Sequence, residues 1–458
     1  MRRWVGLDLV WLAALVGYVL AGVDRVPFHG DESTLIYMSR DYYYLVQAHD
    51  LNAVLYTDHP GNASEQELRL INGTVGKMAM GLAWDLRGLT VMDINEQWVW
   101  EWSWDQNIAD GHMPTPAMLH AARMSSALLT AISVVGVFLI ALLVTRHRIA
   151  AWAAGLIYVT SPAVLMNGRR AMMEGSTLCF TVLTVLAAVI VVREQARTSR
   201  RGWGLALAYI LLGVMGGMAV ASKHNATITV FAAFFAVLIE PLIRRLKASR
   251  LDSTKFELVG AIHELSLRKT LIMHFLRLTG ASLLVILTFL AWNPAWWSDL
   301  AGMPDRVLIL RRDLLKSQVA WVGGYDHVGE RFAAWIEQAF AAEPQFYEVP
   351  VWGEYIGDQI DEYRASWWDG HGGGWLWGGL LIGAFGVGLW TLARRYTEGP
   401  ALIVLLWAVI VMAALLIATP MNWQRYYLPQ QAPISTVAGI GVGQAGLYLF
   451  QRLKEHDA

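Results

Sequence analysis

The feature that most constrains this chain is a succession of apolar stretches too long to be ordinary core helices. Crossing about 30 Å of hydrocarbon takes about 20 apolar residues in a helix. Such stretches fall at residues 5–26, 118–145, 149–167, 171–192, 204–222, 225–243, 271–292, 373–392, 400–419 and 429–450. Lipid offers no hydrogen-bond partner to a backbone amide, so each must close its own bonds as a helix. The expectation is an all-α polytopic membrane protein of about ten transmembrane helices, one membrane domain over residues 1–458. The first stretch, "MRRWVGLDLVWLAALVGYVLAGV", starts basic like a secretory signal. It is long, however, and no Ala-x-Ala-like cleavage site precedes Asp31, so it reads as a retained first helix.

Charge distribution gives the orientation. With the N-terminus inside, "MRR", "RHR" (146–148), "REQARTSRR" (193–201), the loop 244–270, "RRY" (394–396) and "QRLK" (451–454) share one face. These segments hold roughly half of the 36 basic residues and few acids, which marks the cytoplasmic side. Two long loops, 27–117 and 293–372, then lie outside. Both are rich in tryptophan, as in "EQWVWEWSWDQN" (96–107) and "RASWWDGHGGGWLW" (364–377), and rings with a polar tip favour the headgroup layer. Interfacial helices are expected there. The apolar but charged segment 74–92 reads as re-entrant or surface-lying, and 252–269 as an amphipathic helix on the cytoplasmic surface. Basic and acidic residues nearly balance, 36 against 37, so no nucleic-acid partner is indicated. The one cysteine, Cys179, sits in an apolar run and excludes both a disulfide framework and a thiolate metal site.

The chemistry sits at the span ends. "PFHGDEST" (27–34) places His29, Asp31 and Glu32 just beyond the first span. On the same outer side fall Arg123, Arg169, Arg170, Glu174, Lys223, His224, Arg425 and Tyr426. Taken singly, each cation could snorkel to lipid phosphate. Taken together they face a carboxylate pair at one depth, and charges beside apolar helices tend to mark functional sites. Acids near cations at the headgroup layer suit reactions of a lipid-linked phosphate: cations stabilise the leaving phosphate and a carboxylate takes the nucleophile's proton. That describes glycosyl transfer from a polyprenyl-phosphate sugar.

Five segments carry a resemblance: "HGDESTLIYMSRDYYYLV", "PTPAMLHAARMSSALL" (114–129), "SPAVLMNGRRAMMEGSTLCFTVL" (161–183), "GGMAVASKHNATITV" (216–230) and "NWQRYYLPQQAP" (422–433). They are similar to landmarks of the GT-C membrane glycosyltransferases, in particular the protein-O-mannosyltransferase and aminoarabinose-transferase branch. The resemblance implies a GT-C-like fold, a polyprenyl-phosphate-linked sugar as donor, and an acceptor that is a protein, lipid or glycan. It implies Asp31 as general base with Glu32 beside it, and Lys223, Arg425, Arg169 and Arg170 as donor-phosphate ligands. His29, Glu174, Arg123, His224 and Tyr426 would line the cavity. The family's "HPP"-like element appears only as "HMPTP" (112–116), which leaves His112 without an assigned role. A prokaryotic plasma membrane is expected as host rather than endoplasmic reticulum.

Direct displacement by one base would invert the sugar. Retention would need a second, separately placed carboxylate, for which Glu174 and Glu354 remain candidates. His29, Asp31 and Glu32 could also ligate a divalent cation, an alternative the spacing leaves open. Two competing classes are a transporter or lipid flippase, whose charges belong near mid-bilayer on broken helices, and a non-catalytic subunit of a glycan assembly complex.

Overall fold

A computed structural model describes residues 2–197, 203–251 and 260–456. Among these the chain is helical with no strand. Nine helices among the described residues, from Trp4–Arg25 to Gln424–Glu455, are long and apolar enough to cross a membrane. Arg148–Val159 and Pro162–Arg169, two segments bent by 61°, make a tenth if the pair is taken as one span. The break has a local cause. Pro162 opens the second segment, where its missing N–H costs nothing, and the Ser161 hydroxyl caps it by accepting from the Val164 amide. This bent pair occupies the expected 149–167 span, so the described residues hold nine or ten candidate spans, and the all-α membrane fold stands.

With no hydrophobic drive between helices in lipid, close packing relies on small residues. The last span shows this directly. A Cβ placed on Gly439 would lie 2.5 Å from Ala154, and one on Gly443 would lie 2.6 Å from Ala150. The backbone of the last span therefore rests against the Arg148–Val159 segment.

The long loops fold onto one end of the bundle as short helices. The first contributes Gly30–Met38, Ala63–Ile71, Thr74–Asp85 and Trp104–Ala109. The second contributes Met303–Val322, Val328–Phe340 and Trp352–Arg364. The 74–92 segment, expected as re-entrant or surface-lying, is helical only over Thr74–Asp85 and is packed inside protein. Its Lys77 is fully buried and pairs with Asp41 at 2.7 Å, while Arg69 grips the same carboxylate at 2.8 Å. Burial opposes that carboxylate, but Lys77 and Arg69 hold its pKa below the ordinary aspartate value. The ion cluster pins the Ala63–Ile71 and Thr74–Asp85 helices together.

Aromatic residues fasten one loop to the other. Phe28, Trp98 and Trp352 form a buried cluster with Trp100 and Trp104 packed on it. The tryptophans expected at a lipid interface are thus partly the core of the loop assembly. Residues 252–259 of the amphipathic helix expected on the cytoplasmic surface lie outside the described residues, and from Gly260 the chain is already the helix that runs to Trp292.

Candidate active site

The acidic pair owes its geometry to a helix start. In "HGDE", His29 is the N-cap of Gly30–Met38: its Nδ1 accepts from the Asp31 amide at 3.1 Å, and the His29 amide donates to Glu32 Oε2 at 3.1 Å. This is a capping box with histidine in the place of serine or threonine. Successive helical residues diverge by about 100°, so neighbouring acids in the first turn face different surroundings.

Glu32 turns inward. It is fully buried, accepts from Arg123 Nε and Nη2 at 2.7 Å each, and from the Ala171 amide at 2.8 Å. Burial works against ionisation, but Arg123 outweighs it and holds the carboxyl below the ordinary glutamate range. Asp31 turns the other way, into a cleft of about 320 Å³ that opens to solvent. Glu174, Lys223, Arg425 and Tyr426, all candidates from sequence, share that lining, as do Arg311 and Glu348.

Within the cleft the charges are paired. Arg425 Nη1 donates to Asp31 Oδ2, and its Nε lies 3.2 Å from Glu348 Oε1. Lys223 Nζ donates to Glu174 Oε1 at 2.7 Å. His29 Nε2 is 2.6 Å from Glu348 Oε2, which closes a ring running Asp31, Arg425, Glu348, His29 and back to the Asp31 amide. The ring is held between Trp100 and Trp352, whose centroids lie 5.7 and 5.6 Å from that of His29. Burial alone would raise the Asp31 pKa, yet Arg425 and His29 keep it below the ordinary value. Glu348 is likewise held below the ordinary glutamate range, again through Arg425 and His29. Both carboxylates are therefore ionised at neutral pH and able to accept protons or hydrogen bonds.

Several candidates lie elsewhere. Arg169 and Arg170, expected as phosphate ligands, do not line the cleft. Arg169 is fully buried and donates to the carbonyls of Tyr18 at 2.6 Å, Val19 at 2.8 Å, and Trp368. Arg170 donates to the carbonyls of Pro27 at 3.2 Å and Phe346 at 2.7 Å. An arginine surrounded by unpaired backbone oxygens is already satisfied, which is why these two serve as struts between the first span and the second loop. Arg123, expected to line the cavity, is consumed by Glu32. His224 sits outside the cleft lining, against Phe289 and Trp296. Glu354 is exposed on the Trp352–Arg364 helix and also lies outside the lining.

The metal alternative does not fit the donor set. The two His29 nitrogens are engaged by the Asp31 amide and Glu348, and Glu32 faces Arg123. Among the described residues no group of three or more His, Cys, Asp or Glu side chains is arranged to hold an ion.

Sequence reasoning missed Glu348 and Arg311. Both come from the second long loop, and neither lies in a recognisable motif. Arg311 belongs to Met303–Val322, whose residues Arg311, Leu314, Gln318 and Trp321 recur at helical spacing along the cleft. That periodicity was the available signal. Gln318 Oε1 accepts from the Tyr426 hydroxyl at 2.7 Å and so ties this helix to the Arg425 segment.

Comparison with known proteins bears on this arrangement. Residues 75–296, just under half of the chain, match the family model described as dolichyl-phosphate-mannose-protein mannosyltransferase. No curated protein matches in sequence. Among solved structures, apo ArnT from Cupriavidus metallidurans superposes with a TM-score of 0.51 at 12% identity, covering 96% of this chain and 60% of that one. The apo oligosaccharyltransferase of Archaeoglobus fulgidus gives a TM-score of 0.48 at 12% identity, covering 98% of this chain and 52% of that one. The Saccharomyces cerevisiae Pmt1-Pmt2 complex bound to its sugar donor gives 0.41 at 15% identity, covering 62% of this chain and 33% of that one. The chain thus spans about 60% of the length of ArnT. It is a multi-pass membrane protein of GT-C fold, and its residues 75–296 carry the sequence pattern of the dolichyl-phosphate-mannose-protein mannosyltransferases.

Proposed function

We propose that the chain transfers a sugar from a polyprenyl-phosphate-linked donor to an acceptor at the outer face of the membrane, with inversion at the anomeric carbon. The observation that carries this reading is the meeting of Asp31, Glu348 and Glu174 with Arg425 and Lys223 in one cleft at the span ends. The basic bias of the opposite loops supports the outer placement of the cleft.

In this reaction Asp31 accepts the proton of the acceptor's nucleophile as its lone pair attacks the anomeric carbon. The bond from that carbon to the phosphate oxygen breaks on the opposite face, and the lipid phosphate leaves with the electron pair. Arg425 pairs with the base, and Lys223 adds a second cation to the same cleft. Cations placed in advance where negative charge grows lower the barrier without reorganising solvent. Glu348 and His29 hold Arg425 and Asp31 in place from behind. The acceptor is a protein, lipid or glycan, and the sugar a hexose or pentose.

The test is sugar transfer by purified protein from a polyprenyl-phosphate donor to a mixed acceptor pool, comparing wild type with Asp31→Asn. Loss of a general base costs roughly 10²- to 10⁴-fold in rate. Undiminished transfer by D31N would refute the base assignment. A folded wild-type protein that turns over no such donor would favour the non-catalytic subunit.

A further inference from the structure

We propose that the end of the bundle opposite the cleft binds the phosphate headgroup of an anionic phospholipid, between Arg146, Arg193 and Arg395. Helix Glu174–Ala196 joins the two ends: Glu174 lines the cleft, and Arg193 lines a second cavity of about 500 Å³. At about 1.5 Å per residue they stand roughly 28 Å apart, close to one hydrocarbon thickness, so this cavity is separate from the proposed reaction. Its wall holds five arginines, at positions 146, 193, 197, 244 and 395. Three have carboxylate partners: Arg197 with Glu194 at 2.5 Å, Arg244 with Glu240 at 2.6 Å, and Arg395 with Glu398 at 2.7 Å. Arg146 and Arg193 form no ion pair among the described residues. Arg193 Nη1 donates to the Leu143 carbonyl at 2.9 Å, a neutral acceptor, and the group meets Arg146 and Arg197 as like charges. Capping a helix end is an ordinary use of arginine, and Arg395 Nη2 likewise donates to the Val144 carbonyl at 3.2 Å. For Arg193 that bond uses one donor of five and leaves the charge unmatched. Two positive charges therefore remain over one cavity, an arrangement that an anion relieves, and guanidinium forks match phosphate oxygens bidentately.

The layering of the wall selects a lipid over a free phosphate. Pro116–Thr145 and Glu174–Ala196 both run toward this end, so Val144 and Val192, which line the cavity, lie deeper than the arginines that follow them. Val144 is 3% and Val192 1% exposed, whereas Arg146 and Arg197 are exposed. The cavity thus has an apolar floor toward mid-bilayer and a cationic mouth at the level of the span ends. A phospholipid presents the same gradient, and a soluble phosphate gains nothing from the floor. The Gly399–Ala418 helix starts in this wall, and its positive end adds to the field. The segments at this end also carry the basic bias expected of the cytoplasmic side, whose leaflet holds anionic lipid that draws basic segments to it.

Native mass spectrometry of the purified full chain in detergent reads the binding directly, with phosphatidylglycerol, phosphatidylcholine and glycerol phosphate as probes. Arg146→Gln/Arg193→Gln should weaken phosphatidylglycerol roughly 25-fold, about fivefold for each arginine lost near the headgroup. Arg394→Gln/Arg452→Gln removes the same charge from exposed positions at this end that do not line the cavity, and should bind like wild type. Equal weakening in that control would overturn the site and leave only general surface charge. The Arg146 side chain is exposed, so R146Q alone, with a roughly fivefold loss, carries the test if the double variant does not fold. Wild-type affinity in R146Q and in the double variant would overturn the proposal, as would a wild-type protein that retains phosphatidylcholine as tightly as phosphatidylglycerol. Glycerol phosphate that displaces the lipid at equal concentration would overturn the lipid assignment in favour of a free phosphate.

Discussion

Replacing Arg123 by Met tests whether the second acid of the pair is structural. In the native protein Glu32 holds two bonds from the Arg123 guanidinium at 2.7 Å each and sits at 0% exposure. Removing one partner of a buried pair strands the other charge, at about 3–5 kcal/mol. Glu32 would keep amide bonds from His29 and Ala171, which offset part of that loss and place R123M near the lower end, about 3 kcal/mol. In the double variant Glu32→Gln/Arg123→Met neither member of the pair is left charged, Arg170 keeps Glu348 as a nearby carboxylate, and the Gln carbonyl oxygen can still accept from the Ala171 amide. Replacing both members of a buried pair is often close to neutral, so the double variant should lose about 1 kcal/mol and recover about 2 of the 3. The assay is thermal unfolding in mild detergent, followed by near-ultraviolet circular dichroism. The expected order of melting temperature is wild type, then E32Q/R123M, then R123M. A double variant less stable than R123M, or an R123M indistinguishable from wild type, would refute the reasoning. If Asp31 alone is the base, E32Q/R123M should also keep most of its transfer activity.

The pH dependence follows from carboxylates whose folded pKa is depressed, Asp31 and Glu348 in the cleft and Asp41 and Glu32 beneath it. Such groups contribute stability that is present above their unfolded pKa of about 4 and is lost as pH falls through the lower folded value. The carboxylates should therefore add a fall in melting temperature as pH drops below about 4; a melting temperature unchanged between about pH 5 and about pH 3 would contradict it. Gly73→Ala supplies a steric test. An added Cβ would lie 1.7 Å from the Ser222 carbonyl oxygen, so the backbone leading into Lys223 must shift. Overpacking of this kind costs about 1–3 kcal/mol, and both melting temperature and transfer rate should drop, whereas unchanged transfer would detach Lys223 from the reaction.

Much of this fold could be read from hydrophobic length, because the membrane forces any long apolar run into a helix. The bent Arg148–Arg169 pair was legible as a span, though not as a break, since Pro162 at a first helical turn looks the same in either case. The site was legible where local sequence decides geometry: Asp31 follows from its place beyond the first span, and Lys223 and Arg425 from theirs at helix ends. Three-dimensional satisfaction is harder to see. Arg169 and Arg170 have the right chemistry and the right depth, yet their partners are carbonyls from distant segments, which no local pattern announces. Glu348 and Arg311 reach the cleft only because the second long loop folds back over the first. The divergence of Asp31 from Glu32 was encoded in the capping box of "HGDE", a signal concealed by histidine standing where serine or threonine is usual.

The arginine struts also bear on how the chain is made. Arg169 donates to Trp368, 199 residues further on, and Arg170 to Phe346, 176 residues further on. A ribosome delivers N-terminal segments first. When the bent pair has been synthesised, Arg169 can already reach the carbonyls of Tyr18 and Val19, but the oxygens that complete both shells do not yet exist. A nascent chain stopped before residue 346 would hold two guanidinium groups beside the bilayer with part of their coordination missing. The second long loop is then the late component whose arrival locks the early spans, and Asp31 gains its Glu348-braced arginine only in that final step.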